Sequence, residues 1–124
     1  MKALKMDIET LKKHALSKPG TSFDFPFGPE TMVIRVMGKL FALIPLDADA
    51  PRVNLKCDPI LAEILRQNYP AVTPGYHMNK RHWNTVLLDG SIPDTDLLDM
   101  VDHSYEQVVR TLTVKQRAQL QEGR

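Results

Sequence analysis

A chain of 124 residues, 43% hydrophobic and 25% charged, has room for one core and one domain, and its nine prolines punctuate structure rather than dissolve it. A net charge of +1 excludes a histone-like binder, so any affinity for polyanions must come from where the cations sit rather than from their sum. One cysteine excludes an internal disulfide, and the absence of a signal peptide or of an apolar run long enough to span a membrane points to the cytoplasm.

The first amphipathic segment runs from Asp7 to about Lys18. Ile8, Leu11 and Ala15 recur at helical spacing, with Leu4 upstream and Leu16 beside them, and Lys12 and Lys13 lie on the other side. Pro19-Gly20 ends it. Ser22 to Gly28 alternates Phe23, Phe25 and Phe27 with polar or proline positions, which suits a short edge strand because Pro26 has no N–H to donate. Thr31–Met37 and Leu40–Leu46, separated by Gly38-Lys39, form the strongest hairpin signal in the chain. Both faces of these two strands are largely apolar, so their register stays open.

In Arg52-Val53-Asn54-Leu55-Lys56-Cys57, alternation places Arg52, Asn54 and Lys56 on one face and Val53, Leu55 and Cys57 on the other. The first face is expected to be wet and basic, with Arg35 able to join it from a neighbouring strand. Asp58-Pro59 opens a second helix with an apolar stripe of Ile60, Leu61, Ile64 and Leu65, closed by Pro70. Val72–Gly75 and His82–Leu88 read as strands, followed by an Asp89-Gly90 turn. Pro93–Leu112 is the longest helix, with Leu98, Val101, Tyr105, Val108 and Leu112 inward and Asp99, Asp102 and Glu106 outward. Thr113 caps a short final helix expected to fray over residues 119–124. The sum is an α+β fold, a single two-layer domain over residues 1–124 with an antiparallel sheet covered on one face by helices.

The candidate working surface is Tyr76-His77-Met78-Asn79-Lys80-Arg81-His82-Trp83, which holds two fixed cations, two histidines and two aromatics. No carboxylate occurs between Glu63 and Asp89. Lys80 and Arg81 are the first candidates for phosphate contact: a guanidinium donates two parallel hydrogen bonds to phosphate oxygens, and an ammonium acts as a point charge. Trp83 is either a base-stacking platform or an anchor of the core. His77 and His82 suit loop hydrogen bonding or a charge gained in mild acid better than metal ligation, since no carboxylate or cysteine accompanies them. Cys57, on an apolar face, reads as packing. His103-Ser104-Tyr105 diverge by about 100° per residue on a helix and make no Ser-His relay; Tyr105 faces the core with its hydroxyl tied to a neighbour. No catalytic, cofactor or metal motif is present.

Taken together, His77-Met78-Asn79-Lys80-Arg81-His82-Trp83-Asn84-Thr85-Val86, Asp89-Gly90, Ile92-Pro93-Asp94 and His103-Ser104-Tyr105 resemble the signature of the MmcQ/YjbR family of small bacterial proteins. The resemblance implies an α+β fold similar in topology to the frataxin-like CyaY group, with hairpins projecting as wings, and DNA binding through that double-wing shape and a basic surface. Frataxin-like kinship also suggests iron, but that group relies on an acidic ridge, and here the first helix carries Lys5, Lys12, Lys13 and Lys18. The leading expectation is a non-enzymatic, weakly sequence-selective DNA-binding monomer without a cofactor. Lys80 and Arg81, supported by Arg35, Lys39, Arg52 and Lys56, would meet the phosphate backbone through one sheet face and the hairpin loops, with His77, His82 and Trp83 completing the nucleic-acid-binding set. The alternatives are a protein-interaction adaptor and, third, a ligand carrier or enzyme acting at Tyr76, His77 and His82.

Overall fold

The computed structural model describes residues 6–75 and 78–122. Helix α1 (Ile8–Leu16) begins where the Asp7 carboxylate accepts the Thr10 amide at 2.8 Å, and it buries Leu11 and Ala15. Then come β1 (Thr21–Asp24), β2 (Thr31–Val36), β3 (Lys39–Pro45), β4 (Arg52–Lys56), α2 (Pro59–Asn68), β5 (Val72–Pro74), β6 (Trp83–Leu87), α3 (Asp94–Val109) and α4 (Val114–Glu122). The strands make one antiparallel sheet in the order β1-β2-β3-β4-β6-β5. Strands β1 and β5 take the edges, and Pro74 at the end of β5 is tolerated there because an edge strand has one side without a ladder partner. Each helix and strand expected from the sequence is present, but β1 ends at Asp24, so Phe25 and Phe27 lie in the loop beyond it rather than in an edge strand reaching Gly28.

Pairing of β4 with β6 fixes the two faces. Val53 lies opposite Val86 and Leu55 opposite Asn84 on the helix-covered side; Arg52, Asn54 and Lys56 lie opposite Leu87, Thr85 and Trp83 on the other. Helix α3 packs on β2, β3 and β4, and α1 packs on α3 and β1. The core between sheet and helices includes Ile34, Phe41, Ile44, Val53, Val86, Val101 and Val108, each fully or almost fully buried. Burial of each such side chain contributes about 1.5–3 kcal/mol before entropy is counted. The Phe41 and Tyr105 rings meet edge to face at 5.5 Å.

The β2–β3 turn falls one residue earlier than the sequence suggests. Val36 pairs with Lys39, so Met37 (φ 49°) and Gly38 (φ 83°) form the turn, both left-handed as a two-residue hairpin requires. Lys39 is therefore the first residue of β3. Farther along, Ile34 pairs with Ala42 and Arg35 with Leu40, leaving Phe41 as the extra residue of a β-bulge. The bulge sends the Phe41 ring to Tyr105 and takes its carbonyl out of the ladder.

Strands β3 and β4 pair only at Ala42–Leu55 and Leu43–Asn54, and beyond that they part. Ser104 of α3 fills the gap: its hydroxyl accepts the Lys56 N–H at 2.8 Å and donates to the Phe41 carbonyl at 2.5 Å. Its neighbours act alike. His103 Nε2 accepts the Asp58 N–H at 3.1 Å, and the Tyr105 hydroxyl donates to the Pro19 carbonyl at 2.7 Å. Three successive residues of α3 thus fasten three separate backbone segments, each diverging side chain pairing with backbone groups of a different neighbour.

Three further details differ from the sequence reading. The face carrying Asn54 is not wet there, because Asn54 is 6% exposed, accepts from the Thr85 hydroxyl at 2.5 Å and reaches the Leu43 carbonyl. The α2 stripe is not buried as a unit: Ile60 and Ile64 are 74% and 45% exposed, and Ala62 is the buried residue of that helix. Asp102, expected on a solvated row, binds His14 at 2.6 Å and Lys18 at 2.7 Å and so ties α1 to α3. At the C-terminal side, Thr113 and Gln116 cap α4 reciprocally, and Leu120 is buried against Gly20.

Candidate anion-binding site

The ends of three elements meet at one corner of the sheet. Lys56 closes β4, Trp83 opens β6 directly opposite it, and Arg110 forms the C-cap of α3. The residues leading into β6 are folded back on themselves: the His82 amide donates to the Asn79 carbonyl at 3.2 Å, and the Asn79 side chain accepts the Arg81 amide at 3.0 Å. The His82 carbonyl in turn accepts the Cys57 amide at 2.7 Å, which fastens this turn to the end of β4.

Arg66 of α2 holds the same turn from the other side. Its guanidinium donates to Asn84 Oδ1 at 2.7 Å, to the Trp83 carbonyl at 3.3 Å and to the Lys80 carbonyl. Backbone carbonyls here are turned inward onto Arg66, and the Lys80 and Arg81 side chains are left exposed. Gly75 sits against Trp83, where an added Cβ would lie 2.8 Å from Trp83 Cβ and 3.0 Å from its carbonyl oxygen.

The result is a surface hollow of about 390 Å³ lined by Lys56, Asn79, His82, Trp83, Gln107, Arg110 and Thr111. No carboxylate is among these lining residues. Among the described residues, the carboxylate ion pairs are His14–Asp102, Lys18–Asp102 and Arg35–Asp24; none involves Lys56, Lys80, Arg81 or Arg110. Lys39 serves the same corner indirectly, donating to the Thr111 carbonyl at 3.2 Å and its hydroxyl at 3.3 Å. That contact covers a carbonyl just beyond the negative end of α3, beside the hollow.

The sequence candidates are therefore divided. Lys56, His82 and Trp83 come together in the hollow, and Lys80 and Arg81 border it on the adjoining turn. Arg52 shares the face of Lys56 but lies four residues away along β4, about 13 Å at about 3.3 Å per residue. Arg35 is engaged elsewhere, with Asp24 at 3.0 Å and the Gly38 carbonyl at 3.2 Å, so it adds nothing to the hollow. Tyr76 and His77 lie outside the described residues. The sequence reading missed Arg110, Gln107 and Arg66. A cation closing an acidic helix marks Arg110 in the sequence, but only the topology brings that helix end to the tips of β3 and β4.

Residues 16–107 match the YjbR family model. The chain belongs to the YjbR family. Its relatives include YjbR of Escherichia coli K12, 40% identical over 112 residues that cover 90% of this chain and 95% of that protein. YbdF of Escherichia coli O157:H7 is 37% identical over 93% of this chain and 94% of its own. In three dimensions the chain is similar to a crystal structure of a Deinococcus radiodurans protein, with a TM-score of 0.87 and 35% identity over 97% of this chain and 91% of the other. Within the YjbR match fall β1 to β6 and most of α3, and with them Lys56, the Asn79–Trp83 turn and Gln107; Arg110 lies just beyond it.

Proposed function

We propose that this YjbR-family protein binds the phosphates of nucleic acid in the cytoplasm, without catalysing a reaction on them. Lys56 and Arg110 meet the backbone in the hollow, Lys80 and Arg81 extend the contact, and Trp83 offers a ring edge or face to a base. The observation that carries this reading is the convergence of Lys56, His82 and Arg110 from three elements on one hollow that no carboxylate lines. A buried or ion-paired set of cations would not attract a polyanion, whereas one left without a carboxylate partner beside an aromatic ring fits the general pattern of phosphate contact plus stacking.

With about four phosphates contacted, log affinity should fall against log salt with a slope of roughly −3 to −4 on duplex DNA. Sequence preference should be weak, because ammonium and guanidinium groups on phosphate read no base edges. Anisotropy titrations of a labelled duplex and a labelled single strand at two salt concentrations test this. Lys56→Ala/Arg110→Ala is expected to lower the slope by about 2; salt-insensitive binding, or an unchanged slope in the double variant, rejects the site.

A second reading, a protein-interaction adaptor, draws on a different surface. Phe25 and Leu46 are 41% and 44% exposed and line a shallow apolar hollow with Gly28 and Pro29, and Phe27 of the same loop is 68% exposed. It predicts co-purification of a specific protein that is lost in Phe25→Ser/Phe27→Ser, and no salt-dependent affinity for DNA.

A further inference from the structure

On the helix-covered side, α2 packs mainly on β5 while α3 packs on β2, β3, β4 and α1. Between the two helices a groove of about 240 Å³ opens over Leu55 of β4 and Val86 of β6. Leu61 and Leu65 of α2 form one wall and Met100 of α3 the other, so the interior is mostly apolar. One end is bridged by the Tyr69 hydroxyl, which donates to Asp96 Oδ2 at 2.6 Å. The packing explains the opening: α2 buries Ala62 and leaves Leu61 and Leu65 half-covered, and it reaches α3 through Tyr69 at its C-cap.

The polar groups in this groove are of two kinds. Several are neutral and already engaged: Asn84 is held by Arg66, His103 Nε2 accepts from the Asp58 amide, and burial pushes the Cys57 thiol up to about 11. Burial also lowers the His103 pKa, which keeps that ring uncharged. Lys56 touches the groove at its end, but its side chain leaves β4 on the face opposite Leu55 and Cys57 and belongs to the basic hollow. Arg66 reaches Asn84 from outside the lining and is turned onto the Lys80 and Trp83 carbonyls; the remaining charges among the lining residues are the carboxylates of Asp96 and Asp99, one turn apart on α3, with Asp99 exposed.

We propose that this groove binds a small organic cation, an amine on an aliphatic or single-ring body, with the amine held by Asp99 and Asp96 and the body lying over Leu55 and Val86. At about 30 Å³ per heavy atom, the share of a water molecule in the liquid, the space takes roughly eight heavy atoms. A carboxylate on the same body would face two like charges and is disfavoured. The site is separate from the phosphate-binding hollow and stands or falls without it. It is also the kind of place where small ligands bind, a concave apolar pocket with a few convergent polar groups.

The test is a methyl-detected NMR titration of the full chain with hexylamine and, separately, hexanoate. Hexylamine is expected to shift the Leu55, Leu61, Leu65 and Met100 methyls saturably, and hexanoate to bind at least about tenfold more weakly. Asp99→Asn, at an exposed position, should cut hexylamine affinity about fivefold or more without weakening hexanoate. Leu65→Trp, which fills the groove from a half-covered site, should abolish both. The proposal is overturned by equal affinity for amine and acid, by shifts centred outside the groove, by no shift with hexylamine, or by binding that survives Leu65→Trp. Because Asp99→Asn leaves the apolar lining intact, it decides the charge preference even if Leu65→Trp does not fold.

Discussion

Replacing Ser104 by alanine isolates the joint on which the parted strands depend. The serine is fully buried and its hydroxyl is partner to two backbone groups, the Lys56 N–H and the Phe41 carbonyl. Alanine leaves both without that partner, and the space of one oxygen is too small to admit a replacement water. Two buried unsatisfied groups at about 1–3 kcal/mol each come to roughly 2–6 kcal/mol, against a total stability of about 5–15 kcal/mol. At a urea slope of about 2 kcal/mol per molar, a loss of about 3 kcal/mol moves the midpoint down by about 1.5 M. Hydrogen exchange at the Lys56 amide should accelerate beyond the change at Val53 in the same strand. Ser91→Ala, which removes an exposed hydroxyl bonded to Asp89, serves as the control and should stay within about 0.5 kcal/mol. A midpoint shift below about 0.3 M for Ser104→Ala, at an unchanged slope, would refute the reasoning.

Other outcomes follow from the same contacts. Asp102→Asn should cost about 0.5–1 kcal/mol near neutral pH, since the carboxylate is half-exposed and screened. Burial raises the Asp102 pKa, but hydrogen bonds from Lys18 and His14 outweigh it and hold the carboxyl below its ordinary 3.8. Its contribution is therefore complete above that value and lost as pH falls through the lower folded-state pKa, so wild type and variant should converge in acid denaturation series. Cys57, buried and with its thiol pushed up to about 11, should react with a disulfide reagent at pH 8 no faster than the chain opens, and immediately in urea. Gly75→Ala should destabilise by about 1–3 kcal/mol by driving a methyl into Trp83, visible as a shift in tryptophan emission before global unfolding.

How far the sequence reaches is seen in particular residues. The Arg52–Cys57 alternation assigned each side chain to its face, and Asp58-Pro59 located the start of α2, because these signals depend on neighbours in the chain. Arg35 was beyond such reasoning. Its partner Asp24 is diagonal to it across β1 and β2, and that relation exists only once Ser22 is set opposite Arg35. Ser104 looked like any polar residue on a helix, since its use depends on a bulge at Phe41 and on two strands parting. Ile60 and Ile64 had helical period, yet period cannot say that a helix will pack mainly on a short edge strand and leave those side chains outward. Arg110 joined the site for the same reason in reverse: the end of α3 is placed by topology, and the charge alone did not reveal its destination.

The most direct measurement uses the single tryptophan, which lies in the proposed phosphate-binding hollow. Trp83 emission is followed while an unlabelled oligonucleotide is added at low salt and then displaced by raising the salt. A saturable change that salt reverses, and that Lys56→Ala/Arg110→Ala removes, is the predicted result. Emission that stays constant while anisotropy reports binding would place the nucleic acid elsewhere on the protein and contradict the account.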